Sequence, residues 1–285
     1  MNNKKGILIP IGGNEDKGIE NEDEGLDFVE EGILSHVVKE SGGPEAKIIV
    51  IPTASSIPDK VGENYIDAFK KLACTNVTVL NLTTNEQCDA QEALAIIEES
   101  NCVMFSGGNQ SRITSIVGGT KLHNLLASKF ENEKFVIAGT SAGAMAMTSE
   151  MIAGGSSKEA MLKGAVILRK GLSFIPDLVI DTHFIRRGRF GRLAEAVAAY
   201  PQLIGIGLAE DTGLVIRNCN KFSVIGSGMV IVFDASSLNH DAYDQLKEGT
   251  PISISNLKTN ILANGDQFTL NDRKISVLPI PEEFV

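Results

Sequence analysis

An α/β fold, with a mostly parallel sheet and helices on both of its faces, is what this sequence predicts. Two observations carry the prediction. Through the first two hundred residues, short apolar runs ending in turn-forming residues alternate with segments of helical period. Those runs are apolar or β-branched, as strands covered on both faces are. After about residue 200 the texture changes to closely spaced strands joined by Gly, Asn and Asp turns. That predicts hairpins, set as antiparallel edge strands or a small β appendage on the same domain. No linker, repeat or low-complexity tract interrupts residues 1–285. The expectation is one domain, with a parallel α/β part over 1–200 and a β-rich part over 201–285.

The elements follow in order. "GILIPIG", "KIIVIPT", "NVTVLNL", "NCVMFSG" and "KFVIAG" are the five early strands. Leu26, Val29, Ile33 and Val37 recur at steps of three and four between the first two, and Leu34 and Val38 widen them into one apolar stripe. Gly42 and Gly43 end that helix. Val61, Tyr65, Ile66, Phe69 and Leu72 repeat the pattern. "LVIDTHF" is a further strand, which runs out into "IRRGRFGR". "LIGIGLAE", "TGLVIRN", "KFSVIGS" and "GMVIVFD" are the late strands, and "GDQFTLNDRKISVL" reads as a last hairpin.

Composition narrows the function. At 43% hydrophobic and 22% charged, the 285 residues have the make-up of an ordinary globular protein with ample core. A net charge of −10 argues against nucleic acid, which is bound through clustered Lys and Arg. No apolar stretch approaches membrane-spanning length. The run after Lys4 and Lys5 is broken by Pro10, Gly12 and Gly13 too soon for a signal peptide, so the cytoplasm is the expected location. Cys74, Cys88, Cys102 and Cys219 form no C-x-x-C and no Cys/His cluster. Reduced structural thiols, and no metal, are expected.

The chemistry centres on "GTSAG", residues 139–143. Small residues there would let a helix pack closely on the sheet. They also fit G-x-S-x-G, the tight strand-to-helix turn that holds a serine oxygen out of a sheet. Ligands bind at the carboxyl ends of strands in such folds, where "IGGNEDKG", "SGGNQSR" and "GTSAG" all sit. An amide of Gly107 or Gly108 could pair with that of Ala142 to hold a developing oxyanion near Ser141. No phosphate-binding glycine motif is present.

A nucleophilic serine needs a base and a group to orient that base. His36 and His123 lie in helical texture and His240 in polar loop sequence, whereas His183 sits at a strand end and is favoured. For the acid, Glu210 and Asp211 end "LIGIGLAED", and Asp181 is their rival because period two puts it on the face of His183. The order Ser141…His183…Glu210 is not that of α/β-hydrolases, a reading in which His240 would be the base. Arg186, Arg187, Arg189 and Arg192 crowd the segment after His183 and suit a clamp for a substrate carboxylate.

Taken together, "IGGNEDK", "FSGGNQSRI", "GTSAGAMAM", "DTHFIRRGRFGRL" and "GIGLAEDTGLVI", over residues 5–235, resemble the cyanophycinases. Those belong to the serine-peptidase group that also holds the α-aspartyl dipeptidases. The resemblance implies a flavodoxin-like fold of the class I glutamine-amidotransferase kind, with Ser141 as nucleophile, His183 as base and Glu210 as acid. It implies hydrolysis of cyanophycin, a poly-aspartate carrying arginine on each side chain, to β-Asp-Arg dipeptides by a homodimer that needs no cofactor. An aspartyl or isoaspartyl dipeptidase on another small or branched peptide is the alternative. The expected substrate-binding residues are Arg187, Arg189, Arg192, Asn109, Gln110 and Thr182, and acidic Glu15 and Asp16 are expected to meet a guanidinium. Thr182 departs from the family's usual Gln, which bears on polymer specificity.

Overall fold

Among the residues that the computed structural model describes (4–17, 32–155, 161–238, 243, 245–271 and 274–276), nine strands make the main sheet. Its parallel part consists of β1 (Ile7–Ile11), β2 (Ile48–Ile51), β3 (Val77–Val79), β4 (Cys102–Phe105) and β5 (Val136–Thr140). These are the five early runs, in the order β1-β5-β4-β2-β3. β1, β2, β4 and β5 are covered on both faces, which is why their runs are apolar, whereas β3, at the sheet edge, keeps Thr78 exposed. Ile9, Ile48, Val50, Met104 and Val136 pack under α1 (Ile33–Glu40) and α2 (Pro58–Lys71). Leu8, Ile49, Val103 and Ile137, one residue out of step, pack on the opposite side. There they meet α3 (Asn85–Asp89), α4 (Gln91–Glu98), α5 (Gln110–Val117), α6 (Lys121–Asn132) and α7 (Ala142–Met145). Each such Ile or Val gains about 1.5–3 kcal/mol from leaving water.

Leu26 and Val29 of the predicted first helix lie outside the described residues, and Ile33, Leu34, Val37 and Val38 form its buried stripe as expected. In α2, Tyr65 and Phe69 are buried, while Ile66 turns outward.

Past β5 the chain makes a hairpin of β6 (Glu150–Gly155) and β7 (Val166–Lys170). It then forms a βαβ unit, β8 (Leu178–Asp181), α8 (Phe190–Ala199) and β9 (Ile204–Leu208), whose two strands pair in parallel. The hairpin β10 (Thr212–Arg217) and β11 (Lys221–Gly226) returns to the main sheet, antiparallel beside β1. β12 (Val230–Asp234) and β13 (Lys258–Leu262) join β9 and β8 in a second sheet of order β13-β12-β9-β8. β14 (Gln267–Thr269) and β15 (Lys274–Ser276) extend the main sheet beyond β11.

The histidine strand β8 therefore belongs to the second sheet rather than to the parallel core. Apolar side chains of both sheets run together in one cluster, which includes Ile137, Ile180, Ile206 and Val232. No helix among the described residues is long and apolar enough to cross a membrane.

Candidate active site

Strand β5 ends in the sharpest turn of the site. Ser141 has φ 49° and ψ −106°, a conformation that costs a non-glycine residue about 1–3 kcal/mol. Its backbone N–H still donates to the Ile11 carbonyl at 2.9 Å, as the β1/β5 ladder requires, and its own carbonyl starts the short helix α7 by accepting from Met145 N–H at 3.1 Å. The small neighbours are a steric necessity. A Cβ on Gly139 would lie 2.7 Å from the Gly143 backbone, and one on Gly143 would lie 2.5 Å from the Phe105 carbonyl oxygen.

The imidazole comes from the second sheet. β8 and β9 are parallel neighbours, so the residues just past their ends, His183 and Glu210, emerge at the same edge. Ser141 Oγ lies 3.0 Å from His183 Nε2, and His183 Nδ1 lies 2.6 Å from Glu210 Oε1. Arg186 Nη1 donates to the other Glu210 oxygen at 2.9 Å. A carboxylate at Nδ1 fixes the proton there and leaves the Nε2 lone pair facing the hydroxyl. Burial pushes the imidazole below its ordinary value; Arg187 and Arg189 add to that, and together they outweigh the upward pull of Glu210. Glu210 is held below the usual carboxylate range, because hydrogen bonds from His183 and Arg186 outweigh the burial that opposes them. At neutral pH the pair is neutral imidazole and carboxylate, the state a general base needs.

One loop ties the sheets together here. Gly12 O accepts from His183 N–H at 2.9 Å, and Gly13 O accepts from Asp211 N–H at 2.8 Å. Gly13 has φ 103°, and a Cβ on it would stand 2.4 Å from His183 Cε1, so the imidazole occupies the space a side chain would take. A cavity of about 440 Å³ opens beside Ser141 and His183, with Gly107, Gly108, Tyr65 and Arg187 among its walls.

The family model that matches the chain, over residues 26–224, is peptidase family S51. The chain belongs to peptidase family S51. As an S51 member it is a serine peptidase. It is similar to a cyanophycinase of Trichormus variabilis, with 34% identity over 275 residues that cover 96% of this chain and 88% of the relative. It is also similar to a cyanophycinase of Synechococcus elongatus, with 33% identity over 271 residues, 95% of this chain and 81% of that one. The crystal structure of a peptidase from an acI-B1 Actinobacterium matches with a TM-score of 0.62 over 95% of this chain and 99% of the other. At 17% identity that is a likeness of fold, and the fold is the flavodoxin-like one.

In this S51 peptidase the arginine cluster divides. Arg192 donates to both oxygens of the fully buried Asp181, through Nε at 2.7 Å and through Nη2, while Arg189 Nη1 reaches the same carboxylate at 3.0 Å and the Thr182 carbonyl at 2.6 Å. Their guanidinium groups are thus taken up inside the protein. Arg187 is the one of the expected trio at the cavity, and no described carboxylate forms an ion pair with it. Asp181, the rival orienting acid, serves those arginines instead of the imidazole.

Thr182 is wholly buried, with its hydroxyl on the Met145 sulfur at 3.4 Å. Asn109 caps α5 by accepting from Ser111 N–H, and Gln110 donates to the Ile152 carbonyl. Neither lines the cavity. His123 is engaged at both ring nitrogens, by Gly119 N–H and the Leu172 carbonyl, His36 is buried in α1, and His240 lies outside the described residues. Glu15 lines the cavity, yet it is fully buried with both oxygens occupied by protein donors, which leaves no open face for a guanidinium. Among the described residues no three His, Cys, Asp or Glu side chains gather as metal ligands. Sequence reading missed Asn64 and Lys17, which also wall the cavity. Asn64 carried no signal beyond a polar position in a helix.

Proposed function

We propose that this peptidase cleaves β-aspartyl peptides of the cyanophycin type through an acyl-enzyme on Ser141. The observation that supports this most is the chain Ser141 Oγ–His183 Nε2 (3.0 Å) and His183 Nδ1–Glu210 (2.6 Å), set on a strained elbow at the mouth of a cavity. Its distances are those of a serine poised beside a base whose tautomer is fixed by a carboxylate.

In this reading His183 takes the Ser141 proton as Oγ bonds to the scissile carbonyl carbon. Glu210 stabilises the imidazolium that results. Amides of Gly107 or Gly108, with that of Ala142, receive the oxyanion; Gly107 has its Cα face toward Ser141, where a Cβ would stand 3.5 Å from the serine Cβ. The tetrahedral intermediate collapses, and the C–N bond breaks as His183 passes the proton to the leaving amine. Water then repeats the sequence to free the acid. Arg187 at the cavity wall is suited to a substrate carboxylate, since guanidinium binds carboxylate bidentately.

The test is mass spectrometry of soluble products after incubation with insoluble cyanophycin, beside β-aspartyl and α-aspartyl dipeptides. Release of β-Asp-Arg is expected from the wild type and not from Ser141→Ala. Turnover of the dipeptides with the polymer untouched would replace the polymer by a small-peptide substrate.

A further inference from the structure

We propose that Glu15 is a positioning residue for the nucleophile: its carboxylate holds Thr140, and through it the Ser141 elbow, in register with the imidazole. The proposal rests on the reading of Ser141 as nucleophile. Glu15 is 0% exposed, and an ionised carboxylate removed from water is costly unless donors meet it. Thr140 Oγ1 donates to Oε2 at 2.6 Å, Tyr65 OH donates to Oε1 at 2.5 Å, and Lys17 Nζ lies 3.0 Å from Oε1. Burial pushes this carboxyl up, but Lys17, Thr140 and Tyr65 together bring it below the usual range, so it stays ionised and accepts on both oxygens.

The three donors belong to three different places. Thr140 is the last residue of β5, directly before Ser141; Tyr65 is on α2; Lys17 is on the loop itself. The stretch that carries Glu15 also holds the other two members of the chain. Ile11 O accepts from Ser141 N–H, Gly12 O from His183 N–H, and Gly13 O from the N–H of Asp211, next to Glu210. Residues 11–15 therefore touch the nucleophile, the base and the acid's neighbour, and Glu15 is the side chain that fastens this frame to the nucleophile strand. Stability alone does not call for a buried charge, since a well-packed apolar set can replace a buried charge and all its partners without loss. A strained turn, in contrast, needs surroundings that over-determine it.

The experiment measures the second-order rate at which a fluorophosphonate labels Ser141, checked by peptide mapping. It compares the wild type, Glu15→Gln, Thr140→Val, Thr140→Ser and the Glu15→Gln/Thr140→Val double variant, each confirmed folded by circular dichroism. A Gln must turn its NH2 toward one of the donors, and Val has no hydroxyl to give, so each single variant is expected to label about tenfold more slowly or worse. The double variant is expected to be no slower than the slower single, because both remove one interaction. Thr140→Ser keeps the hydroxyl and recovers most of the loss, which a purely volumetric role would not produce. Thr140→Val labelled at the wild-type rate, or single effects that multiply in the double variant, would overturn the proposal. Should Glu15→Gln fail to fold, the Thr140 pair decides alone. A wild type that takes no label at Ser141 removes the nucleophile reading first and this proposal with it, and is seen before any variant is made.

Discussion

Gly13→Ala is the sharpest single perturbation of the site, and its size can be worked from the structure. The added Cβ would stand 2.4 Å from His183 Cε1 and 2.6 Å from Nε2. Non-bonded carbons settle at about 3.5–4.0 Å, so the ring or the loop must give by roughly 1 Å. The loop has little freedom, because Gly12 O and Gly13 O are bonded to His183 N–H and Asp211 N–H. The ring is the softer element, and Nε2 moves off the serine oxygen it now meets at 3.0 Å. A displacement of that size costs about 100-fold in rate, or about 2.7 kcal/mol of barrier. Stability falls as well, by about 1–3 kcal/mol, because Ala is strained at φ 103°. The assay is kcat/KM on a β-aspartyl dipeptide below the melting temperature, with thermal unfolding followed in parallel. A variant that loses stability but keeps full kcat/KM would refute the argument, since it would show that the imidazole is not where its partners hold it.

Three further outcomes are expected. The acidic limb of the kcat/KM–pH profile has its midpoint below 6.5, because burial lowers the His183 pKa and only neutral imidazole can take the proton; Arg187→Ala removes a cation that also lowers it and shifts the limb to higher pH, whereas an unmoved limb would detach Arg187 from the imidazole. Asp181→Asn strips the buried Arg192 of its counter-charge and costs about 3–5 kcal/mol in chemical denaturation; an unchanged midpoint would show that Asp181 is not the anchor. Arg186→Ala removes an exposed partner of Glu210, and the same denaturation experiment is expected to show a midpoint close to that of the wild type; a large drop would show that this exposed pair is a structural anchor.

The parallel core was legible because, beside an edge strand β3 that is still rich in β-branched residues, four of its five strands are covered on both sides, which writes apolar runs into the sequence. The same property hid where β8 and β9 go: a strand apolar on both faces carries no mark of the sheet it joins. The elbow was legible as a pattern, and Gly139 and Gly143 are small for the steric reason a G-x-S-x-G turn implies. Spacing alone left Asp181 level with Glu210, and it was the family resemblance that pointed to Glu210. Period two ends with β8 at Asp181, and His183 then turns at φ 49°, so the two side chains do not share a face in the way an extended strand would give. The arginines read alike in one dimension, and only burial separates Arg189 and Arg192, spent on Asp181, from Arg187 at the cavity. Tyr65 read as one more apolar position in a helical stripe, and its hydroxyl gave no sign of the Glu15 beneath it.

The measurement closest to the central claim is the site of covalent modification by a fluorophosphonate, mapped by proteolysis and mass spectrometry on wild type, Ser141→Ala and His183→Ala. One label on Ser141 is expected in the wild type, none in Ser141→Ala, and labelling slowed at least about a hundredfold in His183→Ala, the size of a lost general base. A label on another residue, or labelling that does not depend on His183, would contradict that claim.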